Sequence, residues 1–151
     1  MYRRVLLAFD GSREGRAALA EGVELAAACG AEVHLLSVLK IGVSTGFGEG
    51  IHPVETFGDS SLNHLRRLVD EGLEQLRSCG AERVRGHIAF GQPVEQISKL
   101  AEGIDADLIV VGHHSRGALA RWWQGSLSHS LLDRVRCSLL VARHPEDSDR
   151  R

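Results

Sequence analysis

Short apolar runs of strand length alternate with amphipathic stretches of helical length along this chain, and that alternation leaves few folds open. Arg4–Phe9 and Glu32–Val38 are the first two runs. Between them lies Ser12–Cys29, whose Ala17, Ala18, Leu19, Val23, Leu25 and Ala26 fall largely on one helical stripe, with Gly30 placed as a C-terminal cap. Strand, helix and strand within about forty residues make a βαβ unit, which implies parallel pairing and a right-handed crossover.

The stretch Lys40–Asp59 interrupts the rhythm with Gly42, Gly46, Gly48, Gly50, Pro53 and Gly58. It is a long loop for a compact domain, either a lid over a ligand or a plain flexible connection. Ser60 or Ser61 is expected to cap the next helix, whose stripe is Leu62, Leu65, Leu68, Val69, Leu73 and Leu76. Arg83–Phe90 reads as a third strand, with Val84, Ile88 and Phe90 alternating against polar partners. Gly91-Gln-Pro93 turns the chain into a helix carrying Val94, Ile97, Leu100 and Ala101, and Pro93 suits its first turn. Leu108–Val111 is apolar throughout, so this fourth strand is expected to be buried on both faces. A helix from about Ser126 to Val135 and a fifth strand, Ser138–Ala142, complete the pattern. The expected fold is α/β: a single doubly wound domain over residues 1–144, with a five-stranded parallel sheet flanked by four helices. Residues 145–151 form a polar tail.

Composition narrows the function classes. The 151 residues are 43% hydrophobic and 25% charged, with a formal net charge of -2. That balance argues against coating nucleic acid or a membrane surface, both of which need excess Lys and Arg. No apolar run approaches the ~20 residues that span a bilayer. The opening Met1-Tyr-Arg-Arg followed by Val5–Phe9 has the look of a tiny signal peptide, but Asp10 cuts its apolar part short. Cys29, Cys79 and Cys137 are odd in number and far apart, the pattern of free, mostly buried thiols in a reducing cytoplasm.

The most informative stretch follows Val111. Gly112 opens a loop that ends at Gly125-Ser126, where a helix begins. Unpaired backbone N–H groups and the positive end of a helix dipole then converge on one point, which suits an anion, phosphate above all. Gly125 lets an oxygen approach the backbone without a Cβ in the way. Ser126, the N–H of Leu127 and Ser128 extend the same nest, and the alternative is a self-capped helix behind an ordinary loop. In doubly wound sheets ligands sit beyond the carboxyl ends of the strands, where the winding reverses. If the first and fourth strands are neighbours there, Asp10 and Gly112 face each other across the crevice. Asp10 would accept bonds from a sugar hydroxyl or an amino group, or else cap the first helix.

These residues carry a resemblance. The chain is similar to the universal stress proteins over essentially its full length, from Val5-Leu-Leu-Ala-Phe-Asp-Gly-Ser12 and Leu35-Leu-Ser-Val38 through Ala106-Asp-Leu-Ile-Val-Val-Gly112. The likeness continues in Gly125-Ser-Leu-Ser128 and Leu139-Leu-Val-Ala-Arg143. The nucleotide-binding branch of that family carries glycine, two residues, glycine, nine residues, then glycine with Ser or Thr. Here Gly112 and Gly125-Ser126 match, and Ser115 stands where the second glycine belongs. A Cβ there costs roughly 1 kcal/mol if a left-handed backbone is required, while its hydroxyl offers a bond to a phosphate oxygen. The resemblance implies ATP binding, with Asp10 and the backbone of Val38 at the adenine and ribose end. It implies Gly112, His114 and Ser115 along the ribose and α-phosphate, and Gly125, Ser126, Leu127 and Ser128 around the β- and γ-phosphates. Mg2+ or Mn2+ would bridge the phosphates, although no acidic cluster marks a dedicated metal site. The resemblance also implies a homodimer, with the short apolar Ser138–Ala142 as the contact, and a regulatory role through a protein partner.

Other residues admit competing roles. Adjacent at a strand end, His113 and His114 are expected to point to opposite sides, and neither has a carboxylate or cysteine at metal-ligand spacing in the sequence. Arg116 and Arg121 either reach phosphates or stay solvated, and Arg116 enters the candidate set. Trp122-Trp123 packs across the loop, meets a partner or folds over the ligand. The competing function is a slow ATPase or nucleotidyl transferase, yet no general base or electrophilic clamp is evident. The Walker and dinucleotide glycine motifs are absent, as are the acidic pair and lysine of a receiver domain.

Overall fold

Strand β1 (Arg4–Ala8) carries Val5 and Leu7 to one face and Leu6 to the other, and every strand beside it repeats that two-sided burial. The structure, a computed structural model, describes residues 1–39, 59–112 and 131–143. In chain order β1 is followed by α1 (Arg13–Cys29), β2 (Glu32–Leu39), α2 (Asp59–Ser78) and β3 (Val84–Phe90). Then come α3 (Pro93–Gly103), β4 (Leu108–Gly112), the helical turn α4 (Leu131–Arg134) and β5 (Ser138–Ala142). The five strands form one parallel sheet in the order β3-β2-β1-β4-β5, so β1 and β4 adjoin where the winding reverses. With four helices among the described residues, this is the doubly wound α/β fold expected from the sequence.

Two cores sit on the two faces. Val5, Leu7, Phe9, Val33, Leu35 and Val110 pack under α1 and α2, against Ala18, Leu19, Val23 and Leu76. Leu6, Leu36, Ile109 and Val111 pack under α3 and α4, against Ile97, Ala101 and Leu131. All five residues of β4 are buried, as a strand covered by helices on both sides requires. No helix among the described residues is long and apolar enough to cross a membrane.

Helix boundaries follow local chemistry. Ser12 caps α1 by accepting from the Gly15 N–H, and Gly30 ends it in the left-handed conformation at φ 62°. The guanidinium of Arg83 donates to the Gly30 carbonyl at 2.7 Å, closing the polar end of α1 from the neighbouring loop. Arg83→Ala is therefore expected to lower stability by about 1 kcal/mol, measured as a fall in the urea midpoint. Pro93 occupies the first turn of α3, as its fixed φ favours.

Three details differ from expectation. Cys79 is exposed and Cys29 and Cys137 are half-buried instead of buried, Cys29 and Cys79 because they sit at the C-terminal ends of α1 and α2. Helix α2 already includes Asp59, so Ser60 and Ser61 lie in its first turn instead of capping it; polar first-turn residues carry no unique boundary signal. Phe90 alternates in phase with Val84 and Ile88 yet is 42% exposed, because β3 is an edge strand and Phe90 is its last residue. Residues 40–58, Trp122-Trp123, the first part of the Ser126–Val135 helix and the tail from residue 144 lie outside the described residues.

Candidate functional site

The crevice at the carboxyl ends of β1 and β4 is built around the first turn of α1. After β1 the chain turns through Asp10 and Gly11, the latter at φ 77°, directly beneath Leu68 of α2. A short relay then fixes the turn. The Gly15 N–H donates to Ser12 Oγ at 2.9 Å, and Ser12 Oγ in turn donates to Asp10 Oδ1 at 2.5 Å. The Ser12 N–H donates to the same Asp10 oxygen at 3.0 Å. Of the two roles open to Asp10, direct capping of α1 therefore falls to Ser12. Asp10 supports that cap through Oδ1, which orients the carboxylate at the crevice. The 17-residue helix α1 begins here, so its positive end lies at the same place.

Gly112 closes β4 and is buried. A Cβ at this position would lie 2.6 Å from the carbonyl carbon and oxygen of Glu14 and 2.9 Å from the Gly15 nitrogen. A Cβ on Gly15 would lie 2.6 Å from Asp10 Oδ1. Asp10 and Gly112 thus both abut the first turn of α1: the missing side chain of Gly15 leaves room for Asp10, and that of Gly112 lets β4 reach the backbone of the turn.

Val38 is half-buried on the face covered by α3 and pairs with Ala89 of β3. The ladder between β1 and β2 reaches Ala8–Leu36, followed by the Phe9 N–H donating to the Leu36 carbonyl at 2.9 Å. Strand β2 runs on to Leu39. Backbone groups two residues apart on a strand face the same edge, so those of Val38 face the β1 side beyond the end of that ladder. The fully buried Ser37 hydroxyl donates to the Phe9 carbonyl at 2.6 Å and ties the two strand ends together.

Of the candidate residues, the structure brings Asp10, Gly112 and the end of β2 at Val38 to the same end of the sheet. His114, Ser115, Arg116, Gly125, Ser126, Leu127 and Ser128 lie outside the described residues. Among the described residues no group of three His, Cys, Asp or Glu side chains is arranged to hold a metal ion. Gly15 and Ser37 were not singled out from sequence. A glycine three residues after a capping serine signals the first, and a lone hydroxyl inside the apolar run Leu35–Val38 signals the second.

A Staphylococcus saprophyticus protein assigned to the universal stress proteins is 29% identical over 146 residues, spanning 96% of this chain and 86% of the relative. A universal stress protein solved in complex with cAMP superposes with a TM-score of 0.71 at 20% identity, covering 93% of this chain and 97% of that one. One from Archaeoglobus fulgidus in complex with dAMP gives 0.67 at 19% identity, covering 93% and 98%. At those identities the structural likeness is one of fold. The sequence model of the family, described as the universal stress protein family, matches residues 1–143, and with that span added to the shared architecture the chain belongs to the universal stress protein family.

Proposed function

We propose that this protein binds ATP at the β1–β4 crevice and acts as a nucleotide-dependent regulatory protein of the stress response. The observation that carries the reading is the meeting of Asp10 and Gly112 on the first turn of α1, at the reversal of the sheet. Asp10 receives a ribose hydroxyl, and the backbone of Val38 meets the adenine edge. By resemblance to the family, the phosphates fall to the residues that follow Gly112 in sequence. His114 and Ser115 meet the ribose and α-phosphate, Arg116 reaches the phosphates, and Gly125, Ser126, Leu127 and Ser128 hold the β- and γ-phosphates. Relatives of the same fold were solved with cAMP and dAMP, which supports an adenine nucleotide as the ligand class. Mg2+ or Mn2+ enters with the phosphates and adds charge neutralisation there.

Strand β5 is an edge of the sheet and offers Ser138–Ala142 to a second copy, which would cover its open hydrogen-bonding groups. The protein works in the cytoplasm, in keeping with free Cys29, Cys79 and Cys137. Its nucleotide state alters the dimer or the surface offered to a protein partner.

Calorimetry on ligand-stripped protein tests the nucleotide reading. ATP is expected to bind, and Gly125→Ala to weaken it by about tenfold or more by placing a Cβ against the phosphates. Absence of heat with ATP, ADP and AMP overturns the reading. Phosphate release is expected to stay well below ordinary enzyme rates of ~10 per second. Turnover near that rate, abolished by Gly125→Ala, would make the protein an ATPase instead.

A further inference from the structure

On the face of the sheet opposite α1 and α2, at the edge formed by β2 and β3, two imidazoles meet. His34 Nδ1 lies 2.8 Å from His87 Nε2. The ring centroids are 5.1 Å apart with 20° between the planes, which for nitrogens at that distance means rings nearly coplanar and edge to edge. The contact is an in-line hydrogen bond and not a face-to-face stack. His34 is 5% exposed, and His87 is half-buried. His87 pairs in register with Leu36, two residues beyond His34, so the bond runs diagonally across the β2–β3 ladder.

We propose that the His34–His87 pair is a proton-sensitive latch that holds the edge strand β3 to β2 and releases it in acid. The polarity of the bond follows from its surroundings. Glu32 Oε1 lies 3.3 Å from His34 Nε2 and is itself held by Arg85 Nε at 2.8 Å. A carboxylate only accepts, so His34 carries its proton on Nε2 and presents a lone pair at Nδ1. His87 Nε2–H then donates to it. A first proton goes to His87 Nδ1 and leaves the donor in place. A second must go to His34 Nδ1, the accepting nitrogen, and it breaks the bond and sets two cations against each other.

The charged groups acting on the pair are Glu32 from β2, Arg85 from β3 and Arg4 from β1. Helix α3, packed on the same face, adds the apolar Ile97 and Leu100 to that core, and its Glu95, Lys99 and Glu102 are not among those charges. Burial foremost, then His87, holds His34 below the usual 6.5, against the pull of Glu32; burial, then Arg85, does the same for His87. The unfolded chain therefore takes up protons first as the pH falls. The latch is at full strength above 6.5 and is lost as the pH drops through the lowered values. Strand β3 pairs only with β2 in the described sheet, so it is the strand freed.

Amide hydrogen exchange between about pH 7.5 and pH 4.5, corrected for intrinsic rates, reads the release directly. The protection of β3 amides relative to β4 is expected to fall by about tenfold or more in the wild-type protein. In His87→Gln, whose amide also donates to Nδ1 and can turn its oxygen to a protonated His34, the fall is expected to stay within about twofold. An equal fall in both proteins, or none in the wild type, overturns the proposal. Imidazole nitrogen NMR of the wild-type protein needs no variant: at neutral pH His34 is expected as the Nε2–H tautomer, and the Nδ1–H tautomer overturns it. Neither readout depends on nucleotide, so the latch and the ATP reading stand or fall separately.

Discussion

Gly112→Ala is expected to destabilise the protein by about 3 kcal/mol, more than a single methyl group normally does. The added carbon would lie 2.6 Å from the carbonyl group of Glu14 and 2.9 Å from the Gly15 nitrogen. Those are backbone atoms of the first turn of α1, so no rotamer change relieves the overlap. Either α1 moves away from β4 or the end of β4 bends. The first also displaces Asp10, whose Oδ1 is tied to Ser12 at the same turn. Urea denaturation measures the loss as a lower midpoint with an unchanged slope. A variant as stable as the parent would show that the close approach of β4 to α1 is not needed.

Ile109→Ala is expected to cost about 3–4 kcal/mol, within the range for truncating a buried aliphatic residue to alanine. Ile109 is wholly buried in β4 and packs in the core with Leu6, Leu36, Ile97 and Leu131. Its strand is held on both edges, by β1 and β5, so the backbone cannot follow the lost volume. Thermal unfolding checks it: a domain of this size shifts by roughly 2–4 °C per kcal/mol, so a fall of several degrees is expected. A change under about 1 °C would mean that this core collapses freely around the gap.

The fold was legible because each element announces itself locally. The unbroken apolar run of β4, the stripe of α1 closed by Gly30, and Pro93 at the start of α3 all stand where their patterns put them. The misreadings fell where local pattern is weakest. Asp59 and Ser60 are equally at home in a first turn or a cap. Phe90 reads as a core residue until the sheet order makes β3 an edge. The placement of Asp10 and Gly112 at one end of the sheet follows from strand ends and motif spacing, whereas the close approach of Gly15 to Asp10 shows only in the atoms around it, the serine three residues earlier being its one sequence signal.

The sequence by itself determined the doubly wound architecture and the family, because hydrophobic period and capping chemistry are properties of neighbours along the chain. Only the tertiary structure decided what crosses between elements. It set β4 against the first turn of α1, tied Ser37 to the Phe9 carbonyl, and joined His34 to His87 across 53 positions of sequence. Such contacts depend on strand order and register, which long-range packing selects and no local window of residues encodes.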